Sequence, residues 1–139
     1  MRPIVALLPL ALLAACANFP TWDNPFDAPP VAVRLDERNA NAPVTVSRNQ
    51  TLVVTLEANI TTGYRWEAVA GFEPVLTGLP TPDYAARPAA TPSVGAPGDM
   101  TFRFRAENAG TTTLEFAYRR PFEPDVAPAR TIRYDVTVR

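Results

Sequence analysis

Apolar and polar residues alternate with a period of two along most of the chain beyond residue 30. Five stretches have the clearest alternation, and in each the apolar side chains share one parity: Val31 to Leu35, Tyr64 to Ala68, Met100 to Ala106, Leu114 to Tyr118, and Ile132 to Val138. This period predicts β-strands with one buried and one solvent-facing side. Because no stretch has a convincing helical period, the pattern predicts an all-β domain.

Short polar turns separate the predicted strands, at residues 39–41, 48–50 and 108–110. About seven short strands spaced by such turns are typical of an immunoglobulin-like antiparallel β-sandwich, which is the fold that we predict. The stretch 77–97 is rich in Pro, Ala and Gly and has little strand character. We expect one short edge strand near residues 72–76 and then a long loop.

The first 30 residues differ from the rest. A basic start is followed by an apolar run from Ile4 to Ala15, which is too short to span a bilayer and is typical of a signal peptide. The end of this run, Leu13-Ala14-Ala15-Cys16, is similar to a bacterial lipobox, in which the cysteine is lipidated and becomes the mature N-terminus. The alternatives are an ordinary signal peptide cleaved after Ala15 and a buried free cysteine.

We therefore predict a lipoprotein signal peptide at 1–15, a lipidated Cys16 with a proline-rich tether at 16–30, and a single domain at 31–139. The lipid would hold the protein on a membrane of the cell envelope. Ala17 stands where an aspartate would resemble an inner-membrane retention signal, so in a Gram-negative cell we expect the outer membrane, facing the periplasm. With Cys16 lipidated, no disulfide is available, and stability depends on the hydrophobic core.

The composition excludes several classes of chemistry. The 139 residues include no His and no Lys, and Cys16 is the single cysteine. Catalytic Ser-His and Cys-His pairs, Schiff-base lysines and the usual zinc sites are therefore excluded. Nothing in the order of the 14 acidic residues marks two of them as a glycosidase-like pair. We predict a protein that is not an enzyme, with no catalytic residues, no cofactor and no metal.

The charge is close to balance, with 13 arginines against 14 acidic residues and a formal net charge of −1. Removal of the signal peptide, which contains Arg2, changes the formal charge only to −2, since 12 arginines then face the same 14 acids. Nucleic-acid binding needs a basic excess, so we predict no nucleic-acid partner. A monomer is the default expectation.

Three polar segments lie where predicted strands end. They are Asn59-Ile60-Thr61-Thr62-Gly63-Tyr64, Gly95-Ala96-Pro97-Gly98, and the third loop 119–124, which contains Arg120-Pro121-Phe122. Loops that join the second to third, fourth to fifth and sixth to seventh strands of a sandwich lie at the same end. We therefore expect the three segments to form one edge.

Three such loops in this order resemble the chagasin family, the proteinaceous inhibitors of papain-like cysteine proteases. The family pattern is Asn-Pro-Thr-Thr-Gly-Tyr/Phe, then Gly-x-Gly-Gly, then Arg-Pro-Trp, and the resemblance covers about residues 44–139. It implies the same sandwich fold. It also implies a reversible, non-covalent, competitive inhibitor of cathepsin L-type enzymes, with loops 59–63, 95–98 and 119–124 occluding the active-site cleft.

The resemblance implies that the protease-binding residues are those of the three motifs: Asn59, Ile60, Thr61, Thr62, Gly63, Tyr64, Gly95, Ala96, Pro97, Gly98, Arg120, Pro121 and Phe122. Asn59 and Gly63 both tolerate left-handed backbone, so we expect them to make the central loop turn sharply. Arg120 and Phe122 are of the residue types that are enriched at interface hot spots.

Each loop departs from the family pattern at one position. Ile60 replaces a proline, which should loosen the central loop. Pro97 replaces a glycine and so removes an N–H. Phe122 replaces a tryptophan, at a cost of about tenfold in affinity.

Simpler interpretations exist for the single motifs, since each also fits an ordinary turn. Trp66 shares a face with Tyr64 and Ala68, so we expect it in the core and not in a binding site. The alternative function is a non-inhibitory immunoglobulin-like envelope lipoprotein module that binds another protein or a glycan through the same loops.

Overall fold

The structure, a computed structural model, describes residues 31–88 and 95–139, and over these residues the all-β prediction is confirmed. The described residues form nine strands: β1 Val33–Leu35, β2 Pro43–Val46, β3 Thr51–Ala58, β4 Arg65–Ala68, β5 Leu76–Gly78, β6 Asp83–Ala86, β7 Gly98–Ala106, β8 Gly110–Arg119 and β9 Arg130–Val138. Two short 3-10 helices, Glu37–Asn39 and Ile60–Thr62, lie between strands. No helix within these two ranges has the length and apolarity to cross a membrane.

The nine strands make two sheets that pack face to face. In the first sheet the order is β1-β3-β7-β5, with β6 also paired to β7. In the second sheet the order is β2-β9-β8-β4. The long pairs are antiparallel, but β1 runs parallel to β3 and β2 runs parallel to β9, so the sandwich is not wholly antiparallel. The chain passes from the edge of one sheet at β1 to the edge of the other at β2.

We predicted about seven strands, fewer than the nine described, because the sequence patterns of β2 and β6 are weak. β2 has only four residues and begins with Pro43. β6 leaves three of its four residues exposed, and Tyr84 is only half-buried, so it shows no apolar alternation. The predicted edge strand at 72–76 was also misplaced, because β5 begins at Leu76 and the long loop after it contains β6.

The core lies between the sheets and follows the predicted parity in the central strands. Phe116 on β8 is at its centre, with ring centroids 4.8 Å from Phe102 and 5.9 Å from Phe104 on the facing sheet. Trp66 is 1% exposed and belongs to this core, as predicted. Val31, in contrast, is exposed, since the first strand begins only at Val33.

The predictions for the signal peptide, for Cys16 and for the tether fall at residues 1–30, outside the described residues. They stay predictions.

Candidate functional site

Three loops meet at one end of the sandwich: β3–β4, β6–β7 and β8–β9. The central β3–β4 loop contacts both of the others. The Asn59 side-chain amide donates to the Gly95 carbonyl oxygen at 2.7 Å. On the other side, a Cβ built on Gly63 would lie 3.1 Å from two ring carbons of Phe122. We call residues 59–63, 95–97 and 119–124 the loop edge; residues 89–94 of the β6–β7 connection are outside the described residues.

The central loop is a single 3-10 turn with a side-chain cap at its start. The Oδ1 atom of Asn59 accepts hydrogen bonds from the Thr61 amide at 3.3 Å and from the Thr61 hydroxyl at 2.6 Å. The Thr62 hydroxyl donates to the Asn59 carbonyl oxygen at 2.6 Å. These contacts satisfy polar groups that a short helix otherwise leaves unpaired, so the turn has a defined shape before any partner binds.

The two ends of this turn use different backbone conformations. Gly63 is left-handed, with φ of 81°. Asn59 is extended, with φ of −123°, so of these two residues Gly63 alone uses the left-handed backbone that both tolerate. Asparagine is common in both settings, and here its side chain serves as the N-cap. Ile60, Thr61 and Thr62 are exposed at the tip.

An aromatic stack lies directly beneath the central loop. The Tyr118 ring on β8 stacks on Tyr64, with centroids 5.3 Å apart, and its centroid lies 4.9 Å from that of Trp66. The guanidinium of Arg120 lies 4.5 Å above the Tyr64 ring, and that of Arg130 lies 5.3 Å from the Trp66 ring. The Tyr118 hydroxyl accepts a hydrogen bond from the Asn59 backbone N–H at 3.0 Å.

Sequence reasoning missed Tyr118 and Arg130 as parts of this site. Tyr118 was predicted on the apolar face of its strand and was not among the predicted protease-binding residues. The available signal was its position directly before Arg119-Arg120, at the point where β8 runs into the third loop.

The third loop has its own internal hydrogen bonds. The Glu123 amide donates to the Arg120 carbonyl oxygen at 3.0 Å, and the Arg119 guanidinium donates to the Pro124 carbonyl oxygen at 2.6 Å. Arg120 also lies 3.5 Å from the Glu123 carboxylate. Pro121 is half-buried, whereas Phe122 is 68% exposed although its ring edge packs against Gly63.

The second loop differs from its predicted extent at one residue. Gly95, Ala96 and Pro97 lie outside the sheets, with Pro97 the most exposed of them. Gly98 is the first residue of β7 and is buried, and a Cβ there would be 2.5 Å from the Ala85 carbonyl oxygen and from the Tyr84 ring. Gly98 is therefore part of the strand beneath the loop, and its contact with a protease stays a prediction.

An arginine holds the stem of this second loop. The Arg87 amide donates to the Pro97 carbonyl oxygen at 3.1 Å. Its guanidinium bonds the carboxylates of Asp99 and Glu57, at 2.6 and 2.5 Å. The hydrogen bond to Asp99 and then that to Glu57 raise the pKa of the Arg87 guanidinium, so it stays charged. Nowhere in the described residues do three acidic or cysteine side chains come together as a metal site.

The fold and the sequence both match known proteins. The family model described as chagasin family peptidase inhibitor I42 matches residues 45–138. Amoebiasin-2 of Entamoeba histolytica is 29% identical over 105 residues, which are 76% of this chain and 84% of that protein.

Solved structures agree with these matches. The crystal structure of a cysteine protease inhibitor from Entamoeba histolytica has a TM-score of 0.68 and 28% identity, over 78% of this chain and 96% of the other. The solution structure of Amebosin has a TM-score of 0.59 and 26% identity, over 78% and 99%. These matches are to peptidase inhibitors, which confirms the prediction that the protein is not an enzyme. Since the family model spans most of the folded domain, the chain belongs to the chagasin family of peptidase inhibitors.

Proposed function

We propose that this protein is a reversible, non-covalent, competitive inhibitor of papain-like cysteine proteases of the cathepsin L type, and that its loop edge occupies the active-site cleft. One observation carries the proposal. The capped turn at 60–62 is exposed at its tip and is in contact on both sides with a neighbouring loop. The similarity to a cysteine protease inhibitor of known structure supports the choice of target class.

The shape of the loop edge suits insertion into a cleft. The central turn presents Ile60, Thr61 and Thr62, and it would lie over the catalytic cysteine. The second and third loops would contact the two walls, through residues 95–97 and 120–122. Because the loops are held by hydrogen bonds in the free protein, little conformational entropy is lost on docking. The loops offer no nucleophile or electrophile, so the complex would dissociate unchanged.

Phe122 and Arg120 would supply much of the binding energy. Phe122 is the most exposed large apolar side chain of the loop edge. Tight interfaces are usually anchored by aromatic rings buried in pockets and by desolvated arginines. We expect the interface to bury about 1,600 Å² in total, the size common to protease–inhibitor complexes.

We also propose that the inhibitor is a monomeric cell-envelope lipoprotein, anchored through a lipid on Cys16 and placed on the outer membrane if the cell is Gram-negative. The lipobox-like segment before Cys16 supports this. Replacement of Cys16 by Ser should release the protein from the membrane fraction. An unchanged bound fraction would rule out the lipid anchor.

A charge at the tip of the central turn tests the proposed site. In Thr62→Asp the added carboxylate would face the cleft, and the hydroxyl that bonds the Asn59 carbonyl oxygen is lost. We expect the inhibition constant for papain to rise by about a hundredfold or more, which is ~3 kcal/mol. The matched control is Thr45→Asp, at an exposed threonine of β2.

The control should inhibit like the wild type, and both variants should unfold at temperatures near that of the wild type. If Thr62→Asp inhibits as well as Thr45→Asp, the loop edge is not the inhibitory site. If neither variant nor the wild type inhibits, the protein is a non-inhibitory binding module.

A further inference from the structure

We propose that Tyr118 is a positioning residue of the loop edge: through its hydroxyl it fixes Asn59, and through Asn59 it fixes the central and second loops together. This inference rests on the proposed function, since it assigns Tyr118 a role in the same site. Tyr118 itself lies beneath the loops and is half-buried, so its role would be exerted without contact with the protease.

Asn59 forms hydrogen bonds both within the central turn and to the second loop. Its side-chain amide bonds Gly95 in the second loop at 2.7 Å. Its Oδ1 and carbonyl oxygens accept from Thr61 and Thr62 in the central turn. A rotation or shift of Asn59 would therefore change the central turn and its distance from the second loop at the same time.

The hydrogen bond from Asn59 to Tyr118 joins the two sheets. Asn59 directly follows β3 of the first sheet, whereas Tyr118 lies on β8 of the second sheet. β8 continues from Tyr118 into the third loop. The 3.0 Å contact between the Asn59 N–H and the Tyr118 hydroxyl thus sets the position of the central loop relative to the third.

The Tyr118 ring is held firmly enough to serve this role. It packs against the rings of both Tyr64 and Trp66. Trp66 is buried, and its indole N–H donates to the Glu57 carbonyl oxygen at 2.8 Å. The Tyr118 carbonyl oxygen accepts from the Ala129 amide at 2.9 Å, which fixes the strand beside it. The hydroxyl is therefore presented from a packed base to a residue at the end of another strand.

Loss of the Tyr118 hydroxyl should weaken protease binding by changing the conformation of the free inhibitor. In Tyr118→Phe the Asn59 N–H loses its partner, and the central turn can leave the geometry that fits the cleft. The fraction of competent molecules falls, so the association rate constant falls with it. From the usual effect of one lost hydrogen bond we expect the inhibition constant to rise about tenfold, mostly through slower association.

Tyr134→Phe is the matched control, because it also removes one tyrosine hydroxyl from a hydrogen bond inside the fold. The Tyr134 hydroxyl donates to the Asp36 carbonyl oxygen at 2.8 Å, and Tyr134 lies on β9 four residues beyond Arg130, away from the loop edge. Both variants should lose some stability. Only Tyr118→Phe should slow association with papain.

The experiment measures association and dissociation rate constants with papain for the wild type and both variants, and amide hydrogen exchange at Asn59, Thr62 and Gly63 in the free proteins. We expect slower association and faster exchange in Tyr118→Phe alone. If the wild type inhibits and Tyr118→Phe associates at the same rate, the positioning role is overturned while the proposed function stands. If the wild type does not inhibit, the proposed function fails. Unchanged exchange in Tyr118→Phe would then show that Tyr118 does not fix the loop either.

Discussion

The Phe122 ring packs against Gly63, so closely that a Cβ on the glycine would lie 3.1 Å from two of its carbons. This contact joins the third loop to the end of the central turn. Gly63 has φ of 81°, a conformation that residues with a Cβ adopt only at a cost. The absence of a side chain at Gly63 thus serves both the turn and the seating of Phe122.

Gly63→Ala should therefore weaken both the fold and inhibition. We expect the free energy of unfolding to fall by about 1–2 kcal/mol, from the left-handed backbone. Displacement of Phe122 should raise the inhibition constant for papain as well. The control is Gly71→Ala, because Gly71 has φ of 120° but no atom within 4 Å of a built Cβ. It should lose stability and still inhibit like the wild type; an equal loss of inhibition in both variants would contradict the role of the Phe122 contact.

Substitutions at Phe122 should change affinity in both directions. Phe122→Ala removes the exposed ring, and we expect about a thirtyfold loss in affinity, ~2 kcal/mol. Phe122→Trp restores the larger aromatic area of the family pattern, and we expect about a tenfold gain. Since the ring is largely exposed, the unfolding temperature should change little.

The control for this series is Val126→Ala, at another exposed apolar residue that lies just beyond the loop edge. It should leave the inhibition constant unchanged. An equal effect of Val126→Ala and Phe122→Ala would mean that the third loop does not contact the enzyme through Phe122.

The Arg87 guanidinium bridges two carboxylates that face each other across neighbouring strands. Glu57 on β3 and Asp99 on β7 are direct cross-strand partners, and the Arg87 guanidinium bonds both. Like charges directly opposite on a sheet are destabilising. Arg87→Gln should therefore lower the unfolding temperature, more at low than at high ionic strength, because salt screens the repulsion.

Arg103→Gln is a suitable comparison for Arg87→Gln. Arg103 is paired with Asp83, but its cross-strand partner on β3 is Val53, so its loss leaves no opposed carboxylates. Its effect on the unfolding temperature should be smaller. Thermal unfolding at two salt concentrations checks this, and a salt-independent effect of Arg87→Gln would contradict it.

Tyr134 should make the protein less stable at high pH. Burial of its ring, with smaller contributions from Asp36 and Glu37, raises the pKa of the hydroxyl to about 12. In the unfolded chain the tyrosine pKa is about 10. The folded state therefore holds the proton more tightly, and this stabilisation is complete below pH ~10 and is lost as the pH rises through 12.

The loss should not exceed about 2–3 kcal/mol between these pH values. The chain has no lysine, so no side-chain ammonium group contributes in this range. Denaturant unfolding between pH 9 and 12 should show a smaller decline for Tyr134→Phe than for the wild type. An equal decline in Tyr134→Phe and the wild type would contradict this role of Tyr134.

Much of the fold was predictable because the central strands have two unlike faces. On β7 the residues Met100, Phe102 and Phe104 are buried and Arg103 is exposed, as the alternation predicts. The edge strand β6 lacks this contrast, since three of its four residues are exposed, and β2 shows it over only four residues. The apolar pattern of such a strand is then too weak to read from sequence.

The meeting of the three loops at one end of the sandwich was predictable, and the contacts between them were not. The motif residues indicated the three loops, but the sequence pattern does not show that the Asn59 side chain caps the turn through Thr61. Tyr118 was missed because its partner, Asn59, is 59 residues away in the sequence. No local pattern distinguishes a half-buried tyrosine that supports a loop from one that simply fills the core.

The proposed function is tested most simply by titrating the soluble protein, residues 17–139, against papain and a cathepsin L-type enzyme with a fluorogenic peptide substrate. We predict reversible inhibition at nanomolar concentrations, with an apparent inhibition constant that rises linearly with substrate concentration, as competition for the cleft requires. No inhibition of either enzyme at tens of micromolar, or inhibition that is independent of substrate concentration, would contradict the proposed function.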